Sequence, residues 1–131
     1  MEERIKKLRE EVKKGNIAAA FSLAEAYKWG YYGDANPQRA AIMYRICCRS
    51  KEKKMAAGGF YNLGILYYFG YLSEGEVGEK EKKMAFDCFL KSVLCHPTPE
   101  AFSKLGDMYR YGQYVEKNEG IARKLYLKAN A

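Results

Sequence analysis

Small, apolar and aromatic residues return at the same intervals three times between Ala19 and Ala129. Each unit opens small-x3-Leu-small-x2-Tyr-x2-Gly: Ala19-Leu23-Ala24-Tyr27-Gly30, Gly59-Leu63-Gly64-Tyr67-Gly70 and Ala101-Leu105-Gly106-Tyr109-Gly112. Each closes small-x3-aromatic-x2-small: Ala40-Tyr44-Cys47, Ala85-Phe89-Ser92 and Ala122-Tyr126-Ala129. The first set lies at i, i+4, i+8 and i+11, one face of a helix, called A. The second set marks one face of a following helix, B. Its aromatic ring fills the gap between the pair, and the small residue beside each leucine lets B approach closely. A period of about forty residues predicts a stacked array in which each unit buries its apolar face against its neighbours.

Ahead of the first unit, Ile5, Leu8 and Val12 form a single helical stripe, and Gly15-Asn16 supplies a stop signal. The expected organisation is one all-α domain, an α-solenoid of about three helix-turn-helix repeats. Residues 1–15 form an N-terminal capping helix, and the repeats occupy 16–50, 51–96 and 97–131. Asn36-Pro37 and Thr98-Pro99 read as an N-cap followed by proline at the first helical position, and Asn118 takes the place equivalent to Asn36. Gly30, Gly70 and Gly112 are expected to end the A helices. The second unit carries a longer A–B connection, including the polar stretch Ser73-Glu74-Gly75-Glu76, and Ser50–Lys54 lengthens the link before it.

At 131 residues, 48% of them hydrophobic, the chain has material for one domain core. Its net charge of +7 is scattered, with lysines alternating with apolar or acidic positions, the habit of solvated helix faces. No stretch reaches the roughly 18 apolar residues of a membrane span. Met1-Glu2-Glu3-Arg4 lacks the apolar core of a signal peptide. A soluble, cytoplasmic protein is expected.

Chemistry is sparsely represented. Cys88 and Cys95 on one helix would lie about 10 Å apart, too far for a disulfide. Cys47 and Cys48 are adjacent and diverge from a helix, so reduced, space-filling thiols are expected, with a bridge between units one and two left open. His96 is the only histidine, at a helix end beside Cys95, and no Cys-x2-Cys pair accompanies it. Glu25 and Asp107 show no evident partners. Nothing resembles a catalytic triad or a phosphate loop, so no enzyme activity, cofactor or metal is expected.

Phe60-Tyr61-Asn62-Leu63-Gly64-Ile65-Leu66-Tyr67 is similar to helix A of the Sel1-like repeat, part of the tetratricopeptide-like superfamily. Gly112 through Ala129, with Val115 and Ala122-x3-Tyr126-x-Lys128-Ala129, resembles its loop and helix B. The chain departs from that family at Tyr32, Leu72 and Tyr114, where a second glycine is usual, and in the missing acidic cap of helix B. The resemblance implies an adaptor that holds a partner protein, with the A helices lining a concave wall.

If Leu23, Leu63 and Leu105 face inward, the positions around them face that groove. Phe21, Glu25, Lys28 and Trp29 come from unit one, and Tyr61, Ile65, Tyr68 and Phe69 from unit two. Unit three adds Ser103, Asp107, Arg110 and Tyr111. Rings beside Lys28 and Arg110 suit a protein or peptide partner, because they bury much area with little loss of rotamer freedom. Glu25 and Asp107 with Lys28 and Arg110 would then fix charge register. Basic charge among aromatics also allows RNA binding, although the balanced groove charges disfavour nucleic acid. Leu125 and Leu127 on the last helix allow a homodimer.

Overall fold

The computed structural model describes residues 2–131 as seven helices, with no strand among them. They are α1 (Glu2–Lys13), α2 (Ile17–Trp29), α3 (Pro37–Cys48), α4 (Lys53–Tyr68), α5 (Glu79–Cys95), α6 (Pro99–Tyr111) and α7 (Glu119–Ala129). Met1, in the expected capping segment, lies outside the described residues. α1 leads into three A–B pairs: α2 with α3, α4 with α5, and α6 with α7. Each helix packs on its neighbours in chain order, the arrangement of an all-α solenoid. No helix among the described residues is long and apolar enough to cross a membrane.

Side chains start four of these helices, three at the expected residues Asn36, Thr98 and Asn118 and one at Asn16, expected only within a stop signal. Asn16 Oδ1 accepts from Ala19 N at 3.1 Å, Asn36 Oδ1 from Arg39 N at 3.0 Å and Asn118 Oδ1 from Ile121 N at 2.9 Å. Thr98 Oγ1 accepts from Ala101 N at 3.4 Å, and Pro37 and Pro99 follow their caps. Each interaction satisfies an amide that the first helical turn leaves without a partner. α5 lacks such a side chain, because its cap is Gly78. There Glu81 reaches back instead, its carboxylate accepting from Gly78 N at 3.1 Å.

All three A helices close alike. The amides of Tyr31, Tyr71 and Gln113 donate to the carbonyls of Ala26, Leu66 and Met108 at 3.1, 3.0 and 2.9 Å. This wrap-around bond requires a left-handed residue just before it. Gly30, Gly70 and Gly112 supply it, with φ of 71°, 75° and 64°. Gly70 stands one place beyond its expected position, since α4 ends at Tyr68 and Phe69 is the cap. In units one and three the chain then returns over the A helix, Asn36 N donating to Tyr27 O at 2.7 Å and Asn118 N to Tyr109 O at 2.9 Å.

The leucines, small residues and B-helix rings make the core. Leu23, Leu63, Leu105, Tyr44 and Phe89 are buried. A Cβ on Gly64 would come within 2.8 Å of the Phe89 ring, and one on Gly106 within 2.7 Å of Tyr126. Gly59 meets backbone: a Cβ there would lie 2.8 Å from Cys48 N and 2.9 Å from Tyr44 O, so α3 and α4 touch main chain to main chain. Ser92 Oγ donates to Ala57 O at 2.8 Å inside the α4–α5 contact. The four cysteines are free thiols. Burial pushes the thiols of Cys47 and Cys88 up to about 11 and that of Cys48 to about 12.

Candidate functional site

Side chains tie α2, α4 and α6 to one another across the unit boundaries, and the side that carries these ties is the candidate face. Lys28 Nζ donates to Asn62 Oδ1 of the next A helix at 3.4 Å. Tyr68 Oη donates to Gln113 Oε1 at 2.9 Å, just past α6. Lys104 Nζ of α6 lies 5.4 and 5.0 Å from the ring centres of Tyr68, the last residue of α4, and Phe69, its cap.

The most exposed part of this face is a row of rings in one register. Trp29, Phe69 and Tyr111 each stand one residue before the closing glycine, and they are 59, 53 and 62% exposed. Each carries a cation within the range of ring attraction. Lys28 Nζ lies 4.9 Å from the centre of the Trp29 ring, Lys104 Nζ 5.0 Å from that of Phe69, and Arg110 Cζ 5.4 Å from that of Tyr111. Tyr31 and Tyr71, on the far side of the same glycines, are also exposed. α1 does not cover the row.

The expected groove residues divide into three kinds. Lys28, Trp29, Phe69, Arg110 and Tyr111 belong to the exposed row or the cations over it. Tyr61 and Tyr68 are half-buried beside it, packed on Phe89 at 5.8 and 6.0 Å between ring centres. Burial raises the pKa of both phenols. Phe21 is half-buried too, its ring centre 6.0 Å from that of Tyr44 in an edge-on contact. Near Phe21 and Tyr61 the face is dished by two adjoining hollows of about 360 and 240 Å³ that share Lys54 and Gly58.

Glu25, Asp107 and Ile65 correct the expectation. Glu25 and Asp107 do have partners, and these lie inside each repeat. The Tyr44 hydroxyl donates to Glu25 Oε1, and Trp29 Nε1 donates to Oε2 at 3.2 Å. The Tyr126 hydroxyl donates to Asp107 Oδ1 at 2.5 Å. In both units an A-helix carboxylate pins the B-helix tyrosine instead of facing outward as a free charge. In the middle unit the same two positions hold Ile65 and Phe89. Phe89 has no hydroxyl to offer, and an apolar residue is the matching choice opposite it. Ile65, expected in the groove, is therefore only 9% exposed and packs in one core with Phe89, Leu105 and Met108.

These contacts set the electrostatics. Burial, reinforced by the bond to Glu25, drives the Tyr44 phenol far above its ordinary value. Tyr126 is pushed up to about 12 by burial and by Asp107. Burial lowers the pKa of Lys28, against the pull of Glu25.

Residue types alone pointed to neither Lys104 nor the tyrosines at 31 and 71. The tyrosines carry a local signal, an aromatic-Gly-aromatic triplet at Trp29-Gly30-Tyr31 and Phe69-Gly70-Tyr71. Lys104 has none, because its ring lies on the preceding unit. Among the described residues no group of three or more His, Cys, Asp or Glu is arranged to hold a metal ion. What the face offers is apolar ring area and cationic donors.

The Sel1 repeat family model matches the chain at residues 17–49, 61–94 and 99–131. The fold is similar to that of the crystal structure of a Sel1 repeat protein from Oxalobacter formigenes, with a TM-score of 0.75 and 20% identity. That match covers 96% of this chain and 46% of the other. A second similar structure is c5321, a protective antigen of uropathogenic Escherichia coli displaying an SLR fold, at TM-score 0.43 and 23% identity. It covers 93% of this chain and 32% of the antigen, so the chain spans less than half of either solved protein. No curated protein matches the sequence. With three matches in register over seven helices of this architecture, the chain belongs to the Sel1 repeat family.

Proposed function

We propose that this protein is a non-enzymatic adaptor that receives a peptide segment of a partner protein on the face formed by α2, α4 and α6. Sel1 repeats are generally protein-interaction modules and are not typically enzymatic. The observation that carries the reading is the row Trp29, Phe69 and Tyr111. Three large rings occupy one register, each more than half exposed and each under a cation. Exposed aromatic surface with adjacent polar donors is the composition of an interaction hot spot. Lone exposed rings carry little meaning, whereas a ring repeated at one position of every unit lays out a track.

The test is capture of a partner from native lysate by the wild-type protein and by a Trp29→Ala/Phe69→Ala/Tyr111→Ala variant. Ile42→Ser/Leu94→Ser, altering exposed residues of the B helices, is the control. We expect the triple variant to remain helical and lose the partner, with the control retaining it. Equal capture by all three proteins would remove the ring row from consideration.

A further inference from the structure

The charges along the ring row are unequal in availability. Glu25 and Asp107 each accept a tyrosine hydroxyl from the B helix behind them. Lys28, Lys104 and Arg110 have no carboxylate within ion-pair distance. The two ion pairs among the described residues, Lys82–Glu79 and Lys83–Asp87, both lie on α5. The three cations instead lean over Trp29, Phe69 and Tyr111. The row therefore carries three cations outside any direct ion pair, in a chain of net charge +7, while Glu25 and Asp107 keep their charge but are already bonded to Tyr44 and Trp29 and to Tyr126. The complement of such a row combines apolar groups with carboxylates.

The order of the cations along the face narrows the partner further. Side chains lead from one A helix to the next, Lys28 to Asn62 and Lys104 to Tyr68 and Phe69, so the cations are spread along the row and not gathered at one end. We infer that the row takes an acidic peptide whose carboxylates are dispersed among apolar side chains, a charge-selective form of the peptide binding proposed above, on which it rests. The carboxylates meet Lys28, Lys104 and Arg110, and the apolar side chains lie on the rings.

Fluorescence anisotropy with defined probes tests this. One labelled peptide consists of four Glu-Leu-Ser triplets, and a second has lysine in place of every glutamate. A third has the composition of the first with its glutamates gathered at one end, and a fourth probe is single-stranded oligouridylate. We expect the first peptide to bind about tenfold tighter than the second or third, and more weakly as salt rises. Lys28→Glu/Lys104→Glu should cost it about tenfold in affinity without loss of helicity. Equal binding of acidic and basic peptides, lost together in Trp29→Ala/Phe69→Ala, would overturn the charge selection while leaving peptide binding intact. Preference for the basic peptide or for oligouridylate would overturn the inference, as would equal binding of the clustered peptide. So would failure of every probe, and the lysate experiment would then decide the broader reading by itself.

Discussion

Tyr44 and Glu25, Tyr126 and Asp107, and Phe89 and Ile65 answer the same packing problem in two chemistries. Tyr44→Phe leaves the Glu25 carboxylate without its main donor and should cost about 2 kcal/mol in urea unfolding. Importing the middle unit's solution whole, as Glu25→Ile/Tyr44→Phe, should recover most of that loss. Strictly additive single effects would mean the two positions are uncoupled. The neighbouring glycines of α4 give a second contrast. A Cβ on Gly58 meets only the Phe21 ring edge at 3.5 Å, an ordinary contact, whereas one on Gly59 meets α3 backbone at 2.8 Å. Gly58→Ala should therefore stabilise by about 0.5–1 kcal/mol through helix propensity. Gly59→Ala should destabilise by about 2 kcal/mol or more, because backbone cannot step aside. Thermal melts of the two variants on either side of wild type would bear this out, and two shifts of the same sign would refute it.

The helices show why some features can be read from residue types and others cannot. Caps at Asn36, Thr98 and Asn118 and closures at Gly30 and Gly112 each depend on one side chain, or on one missing Cβ, acting within a turn of itself. Such effects travel with the residue. Ile65 departs from its expected groove position because its burial is decided by Phe89 on α5 and by Leu105 and Met108 on α6. Helical spacing from Leu63 contains none of that. Tyr114 is an intermediate case. It stands where the family usually has glycine, and it takes the left-handed conformation, φ 66°, with its ring 5.6 Å from Phe86. The strain of that conformation falls on tyrosine, at a cost of about 1–2 kcal/mol. The caps lead to a test of their own. Asn118→Ala should cost about 1 kcal/mol, and Glu81→Ala less, since glycine at the head of α5 provides no second bond. Equal losses would indicate that the return bond from Glu81 does the work of a full cap.

Neighbour-only packing gives the array a gradient from its middle to its ends. α3, α4 and α5 each have a packed helix on both sides, whereas α1 and α7 have one. Amide exchange should be slowest in α3–α5 and fastest in α1 and α7; uniform protection would indicate a single cooperative block. The buried thiols make the same core sensitive to alkali. Cys47, Cys48 and Cys88 hold their protons to about 11, 12 and 11, against an ordinary value of 9.0. A proton held more tightly in the folded chain contributes stability that is complete below the ordinary value and disappears as pH rises through the native one. The Tm should stay level up to about pH 8 and fall across roughly pH 9–12. A Tm falling well below pH 8 would assign the loss to other groups.

The ties from Lys28 to Asn62, Tyr68 to Gln113 and Lys104 to Phe69 run along the open face and cross the joints between repeats. A molecule resting there would bridge both joints between repeats at once and act as a splint. Occupancy would then be measurable as lost bending, a mechanical readout that requires no knowledge of the guest's chemistry.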